Sequence, residues 1–245
     1  MKIIQITDSH LRSTPGATIH GYNTYEGLTS VIDVIIDHHN FACEALLVTG
    51  DISDDGSHAS YRLALQQMKR LSLPIYYLGG NHDNAINLAA VFGAEKNVGK
   101  IEALLCDDWQ FICVDTVQNN QDSGFLSAQA QETLRRQIAG GEKNNIALFM
   151  HHHPVAVGIP LVDDCMLLNG EDIIALCQAH DEIKALCCGH AHTEYQEIQN
   201  NCMISVCPAT SFQWQDGART LLTENKRGFN ILEFGATYQA TTFFI

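Results

Sequence analysis

The sequence predicts an α/β protein, and three observations carry that reading. Short apolar runs bounded by glycine or proline alternate with stretches of helical spacing. Those runs are apolar throughout, as strands buried on both faces are. They also end, again and again, in Asp, His or Asn. The first run, Lys2–Thr7, leads into Asp8-Ser9-His10. A helix follows over Thr24–Asn40, with Leu28, Val31, Ile32, Ile35 and Ile36 on one face. Ala45–Thr49 leads into Gly50-Asp51, and Ser57–Leu71 repeats the helical pattern with Tyr61, Leu63, Ala64, Leu65 and Met68. Ile75–Leu78 leads into Gly79-Gly80-Asn81-His82-Asp83. Ser127 caps a helix that runs to Ala139 and is stopped by Gly140-Gly141. Asn145–Met150 leads into His151-His152-His153-Pro154, a helix covers Gly170–His180, and Ala185–Cys188 leads into Gly189-His190-Ala191-His192. Toward the end, Cys202–Cys207, Gly228–Phe234 and Tyr238–Phe244 read as strands with little helix between them. They predict a second sheet, partly antiparallel, packed on the first.

Within these 245 residues no linker, charge block or repeat marks a boundary, so residues 1–245 read as a single domain. The net charge of −14 excludes a phosphate-backbone partner and an anionic membrane surface. No apolar run approaches the roughly 18 residues of a membrane span. Met1-Lys2 runs straight into a strand rather than a signal peptide, which points to the cytoplasm. The nine cysteines agree: their number is odd, none forms a Cys-x-x-Cys pair, and most sit in apolar runs as buried free thiols. A thiolate zinc site is excluded on the same grounds.

In α/β sheets, sites form beyond the carboxyl ends of strands. Asp8 and His10 flank one residue, so both side chains can face one ion. His190 and His192 repeat that spacing at another strand end, and Asp51 is the best candidate for a carboxylate shared between two ions. Each piece alone has a plainer reading, as a cap, a turn or a solvated loop. Five such pieces at five strand ends point instead to one cleft.

The series Asp8-Ser9-His10, Gly50-Asp51-Ile52-Ser53-Asp54, Gly80-Asn81-His82-Asp83, His152-His153-Pro154 and Gly189-His190-Ala191-His192 resembles the motif series of the calcineurin-like metallophosphoesterases, complete and in order. The resemblance implies a four-layer α-β-β-α sandwich of two mixed sheets flanked by helices. It implies two divalent ions, whether iron, manganese or zinc, since carboxylate, imidazole and amide ligands suit all three. By the same resemblance Asp8, His10, Asp51 and His192 hold one ion, and Asp51, Asn81, His152 and His190 the other. His152 is selected because it stands two residues before Pro154; His151, at the strand end, remains the alternative. His82 meets the scissile phosphate and the leaving oxygen, Asn81 and His153 line the substrate side, and Asp54 and Asp83 orient ligands or serve as turn and cap residues.

Within that superfamily the chain is similar to bacterial class III cyclic AMP phosphodiesterases. The likeness rests on Gly21-Tyr22-Asn23-Thr24-Tyr25-Glu26, on the triple histidine with Pro154 and Gly158, and on Leu161-Val162-Asp163 leading to Leu168-Asn169. It implies attack of a metal-bridging hydroxide on 3′,5′-cyclic AMP or a related cyclic nucleotide, giving the 5′-monophosphate. Asn23 becomes a candidate substrate contact or a cap, and a homodimer is a candidate assembly. The alternatives are a broader small-molecule phosphodiesterase or phosphomonoesterase, and a non-catalytic scaffold. Outside the motifs, His20 is a candidate for the cleft, His38 and His39 read as a solvated helix end, Trp109 and Trp214 read as core, and Phe212-Gln213-Trp214 lies where it could close the cleft.

Overall fold

The computed structural model describes residues 1–38, 42–104, 106, 108–141 and 143–245. Strand β1 (Lys2–Ile6) is followed by a small hairpin, β2 (Thr18–Ile19) and β3 (Tyr22–Asn23), and by helix α1 (Thr24–Asp37). Helix α1 ends three residues before the sequence suggests; the His38 N–H bonds to the Val34 carbonyl, and His39 and Asn40 lie outside the described residues. Then come β4 (Ala45–Thr49), α2 (His58–Met68), β5 (Ile75–Leu78), α3 (Ala85–Phe92) and β6 (Val98–Gly99). Ser57 caps α2 by accepting from the Ser60 N–H. Strands β1, β4, β5 and β6 pair in parallel, with the helices as crossovers.

The second half adds β7 (Trp109–Cys113), α4 (Ala128–Ala139), β8 (Asn145–Phe149), α5 (Pro160–Asp163), α6 (Gly170–Ala179), β9 (Ile183–Cys188), β10 (Tyr195–Gln199) and β11 (Cys202–Val206). A two-residue hairpin pair, β12 (Gln213–Trp214) and β13 (Thr223–Glu224), precedes β14 (Gly228–Phe234) and β15 (Tyr238–Phe244). One sheet has the order β15-β14-β1-β4-β5-β6 and the other β10-β11-β9-β8-β7.

The late strands divide between the sheets, which corrects the expectation that they form the second one together. Only β11 joins it, beside β9, with β10 antiparallel on its far edge. Strands β14 and β15 return to β1, whose outer edge would otherwise present unpaired N–H and C=O groups. Lys2 and Glu233 close that register with an ion pair of 2.9 Å.

Both sheets are mixed, and apolar layers hold the four-layer α/β sandwich together. Ile3, Leu47 and Leu232 of the first sheet pack with Phe111, Phe149 and Ala185 of the second. Outside the first sheet, Ile4, Ile6 and Val48 meet Leu28 and Ile32 of α1, Tyr61 and Leu65 of α2, and Phe92 of α3. Outside the second, Ile146 and Leu148 meet Leu134 and Ile138 of α4, Val162 of α5 and Ile173 of α6. Trp109 is core, as its sequence context indicates, 2% exposed with its indole N–H on the Gly235 carbonyl. The carboxyl ends of β1, β4, β5, β8 and β9 therefore open on one rim.

Candidate metal centre and cleft

The loops leaving β1 and β4 run side by side, which decides where their side chains point. The Asp8 N–H bonds to the Gly50 carbonyl, that of His10 to Asp51, and that of Leu11 to Ile52. From the other sheet, the His190 N–H donates to Asp8 Oδ2 at 2.8 Å. These bonds hold Asp8, His10, Asp51, His190 and His192 at φ between 44° and 68°. Such backbone costs on the order of 1–3 kcal/mol per residue and concentrates at functional sites. Close approach adds a requirement for glycine: a side-chain carbon on Gly80 would land on Asp51 Oδ1.

The imidazoles are arranged with one nitrogen tied outward and one turned inward. His192 Nδ1 lies 2.9 Å from the Phe212 carbonyl, His151 Nδ1 2.8 Å from that of Thr49, and His190 Nε2 3.1 Å from that of Cys165. A carbonyl only accepts, so each outer nitrogen carries the proton and the inner one offers a lone pair. The inner nitrogens converge on acceptors. His10 Nε2 stands 3.0 Å from His192 Nε2, while His190 Nδ1 is 3.3 Å and Asn81 Oδ1 3.0 Å from His151 Nε2. Asp8 Oδ1 is buried with no hydrogen-bond partner, 3.4 Å from His192 Nε2. Asp51 Oδ2 lies 3.6 Å from His10 Nε2 and 3.3 Å from His151 Nε2, between the two groups, while its Oδ1 accepts from the His82 N–H. So dense a set of inward acceptors is repulsive unless cations or protons sit among them. The donor set fits divalent iron, manganese or zinc.

Two alternatives held open by the sequence match the observed contacts, and one expected residue lies off the cleft. His151, not His152, is the histidine facing Asp51, Asn81 and His190. Ring nitrogens of His152 do come within 4.8 Å of those of His151 and His190, but both are engaged, Nδ1 with the Thr116 hydroxyl and Nε2 with the Asp122 carbonyl. His153 does not line the cleft: it is fully buried beside Asp163, because β8 has ended and the chain dives under α5. Asn23 is a cap, accepting from the Glu26 N–H at the start of α1. Among the remaining expected residues, His82 is 40% exposed at the cleft, edge-on to His10 at 4.7 Å, with Asp54 Oδ1 3.7 Å from its Nδ1. Asp83 grips backbone rather than ligand side chains, accepting from the N–H groups of Gly80, Ile52 and Ser53. The carbonyls of Phe212 and Cys165, like Thr116 and Asp122, carry no sequence signal; only the fold brings them here.

Charge inside the centre follows from these contacts. Burial would lower the pKa of His10, but Asp54, Asp8 and Asp51 together raise it to about 10. Burial likewise opposes His151, and Asp51 carries it up to about 9. His190 and His192 are held below the usual range by burial. In the metal-free protein near neutral pH, His10 and His151 therefore bear protons that entering cations must displace. Titration calorimetry at pH 7.5 in buffers of different ionisation enthalpy should show release of about two protons per chain on loading. Apparent affinity should rise with pH until about 9 to 10, where those protons leave unaided. A second expectation separates the adjacent histidines: His151→Ala should lose one of two bound ions by elemental analysis, and His152→Ala should keep both.

The cleft above this centre has a volume of about 290 Å³ and is lined by His10, Asp51, Asn81, His82, His190 and His192 on its floor. The family model for calcineurin-like phosphoesterases matches residues 1–194. The chain belongs to the calcineurin-like phosphoesterases. It is an enzyme, a hydrolase of phosphoester bonds. Members of the family use a binuclear divalent metal centre. The phosphoesterase is 36% identical over 245 residues to a probable cyclic nucleotide phosphodiesterase of Xenorhabdus bovienii, covering 99% of each chain. It is 28% identical to the 3′,5′-cyclic adenosine monophosphate phosphodiesterase CpdA of Escherichia coli K12, over 99% of this chain and 88% of that one. Its fold is similar to that of a dimetal phosphatase from Danio rerio, with a TM-score of 0.70 at 11% identity, covering 100% of this chain and 98% of the other. Among the described residues no helix is long and apolar enough to cross a membrane.

Proposed function

We propose that this phosphoesterase hydrolyses the phosphodiester of 3′,5′-cyclic AMP, or of a related cyclic nucleotide, to the nucleoside 5′-monophosphate. One observation carries the reading: six ligand-type side chains, Asp8, His10, Asn81, His151, His190 and His192, surround the Asp51 carboxylate at the floor of a cleft sized for one small ligand. Full-length relatives named as cyclic nucleotide phosphodiesterases support the choice of substrate.

In this reading Asp8, His10, Asp51 and His192 hold one ion, and Asp51, Asn81, His151 and His190 the other. Bound there, a pair of divalent ions supplies Lewis acidity and activation of a water nucleophile. The chain does the rest. Asp51 would be shared by both, since its Oδ2 lies between the two imidazole groups. The outward carbonyl bonds of His151, His190 and His192 fix their tautomers before substrate arrives. His82 faces the substrate side and donates a proton to the departing ribose oxygen, with Asp54 holding its Nδ1 side. Asp83 ties the loops bearing Asp51 and His82 into one rigid frame. A cytoplasmic setting agrees with buried cysteines such as Cys187, Cys188 and Cys207 being thiols rather than disulfides.

The test is turnover by the Mn²⁺-loaded protein of 3′,5′-cyclic AMP, a generic aryl phosphodiester and AMP. AMP formed from the cyclic nucleotide without further hydrolysis is the expected result. Hydrolysis of the aryl ester alone would redirect the search to other phosphodiesters, and no turnover with both ions bound would overturn the enzymatic reading of this site.

A further inference from the structure

The mouth of the cleft is built from parts that the metal chemistry does not use. Two small hairpins frame it. In the β2–β3 hairpin the turn residues His20 and Gly21 both have positive φ, 50° and 85°, the pattern of a tight two-residue turn. That turn leaves His20 exposed at the tip, where it lines the cleft. In the β12–β13 hairpin, Trp214, read from the sequence as core, is instead half-buried and lines the same wall, with Leu221 of the connecting loop beside it. The two hairpins are joined: the Thr223 hydroxyl donates to the Tyr22 hydroxyl at 3.3 Å. Rings fill the junction. His20 meets Phe212 edge-on at 5.4 Å and Trp214 at 5.7 Å, and Tyr22 stacks on Phe212 at 5.7 Å. Across the cleft stand Leu161 and Val162 of α5.

An aromatic and aliphatic wall of this kind has no use for a phosphate. Leu221 is 63% exposed, an apolar surface held open beside a polar floor. The wall is also rigidly placed relative to the metal centre. The Phe212 carbonyl accepts from the His192 Nδ1, and the Trp214 main-chain N–H donates to the His192 carbonyl at 3.2 Å. A planar group lying on His20 and Trp214 is thus set at a fixed distance from a phosphate on the floor.

We propose that His20, Trp214 and Leu221 form a base shelf: the heteroaromatic base of a nucleotide stacks there while its phosphate sits over Asp51 and His82. The proposal rests on the phosphodiesterase reading of the floor, and it adds which residues select a base-bearing substrate. Stacking of a base on an aromatic side chain is strong enough to change affinity about tenfold or more, and it tolerates different bases because each offers a π-face. The shelf therefore distinguishes nucleotides from base-free phosphate esters more sharply than adenine from guanine.

Two measurements test it. First, Trp109 is buried, so the emission of the holoenzyme on ligand addition reports Trp214. AMP should quench it and bind about tenfold more tightly than ribose 5-phosphate. In His20→Ala that preference should shrink to near unity. Second, His20→Ala and Trp214→Leu should raise KM for cyclic AMP about tenfold at near-constant kcat, with both ions retained. Equal affinity of the wild-type protein for AMP and ribose 5-phosphate would overturn the shelf, even if cyclic AMP is turned over. A wild-type protein that prefers AMP yet leaves cyclic AMP intact would keep the shelf and overturn the substrate reading instead. Loss of bound metal in Trp214→Leu would mark that variant as disturbing His192, and His20→Ala, which touches no metal-facing group through a hydrogen bond, then decides.

Discussion

Asp51→Ala is expected to lower kcat/KM by about a thousandfold or more, with loss of metal. Outer partners of a metal site are already worth about 10–100-fold each. Asp51 serves more roles than such a partner. Its Oδ2 stands between His10 and His151, and its Oδ1 receives the His82 N–H at 2.9 Å, fixing the loop that carries the proton donor. The variant removes both. It also removes the charge that holds the pKa of His151 up at about 9. Fewer protons should then be released on whatever metal loading remains, a sign that the loss is electrostatic as well as geometric. Asp51→Asn keeps an oxygen for the His82 N–H but not the charge. If the shared carboxylate is what matters, the Asn variant should fall nearly as far as the Ala variant in activity while its loop stays in place. Full metal content and activity in Asp51→Ala would remove Asp51 from the centre.

Much of this centre is legible in the chain because its chemistry is tied to strand ends. Asp8-Ser9-His10, Gly50-Asp51 and His190-Ala191-His192 each follow a short apolar run, and all three come together as that pattern implies. Ser127 announces its helix because a cap is a local bond between near neighbours. What the sequence hides is non-local or depends on the backbone. The apolar runs Cys202–Val206 and Gly228–Phe234 look alike, yet one lies against β9 and the other against β1, since edge pairing is decided by the whole sheet. His151 and His152 differ by one position at a strand end, and successive side chains point opposite ways. The reach of the His151 Nδ1 to the Thr49 carbonyl of the neighbouring sheet turns its Nε2 toward Asp51, a non-local contact that the sequence does not announce. The acceptors that fix the imidazoles are backbone carbonyls, which any residue supplies, so Phe212 and Cys165 send no signal for that role. Asn23 satisfied two readings at once, and the helix that begins at Thr24 claims its side chain.

His82→Ala should retain both ions and lower kcat by about a hundred- to a thousandfold for cyclic AMP, and the size of the loss should depend on the leaving group. None of the bonds that shape the metal-facing cluster comes from the His82 imidazole. It is the His82 main-chain N–H that holds Asp51, and alanine keeps that group. The ring itself is half free, 40% exposed, packed edge-on against His10 with Asp54 at its Nδ1 side. Asp54 in turn is anchored by Arg12 at 2.8 Å, and its carboxyl is held down at about 2 by His10 first and then by Arg12, so it remains an anion across the working range. That anion stands 3.7 Å from the His82 Nδ1, on the side of the ring away from the proton's destination in this reading. A ribose alkoxide leaves poorly without that proton, whereas an aryl oxide leaves well without it. The deficit should therefore collapse to about tenfold or less with an aryl phosphodiester. An equal deficit for both substrates would mean that His82 positions the phosphate rather than protonating the leaving group. Wild-type turnover of both would take it out of the reaction altogether. Asp54→Asn supplies the companion measurement: with the anion beside the His82 Nδ1 gone, it should lower kcat for cyclic AMP by a larger factor than for the aryl phosphodiester.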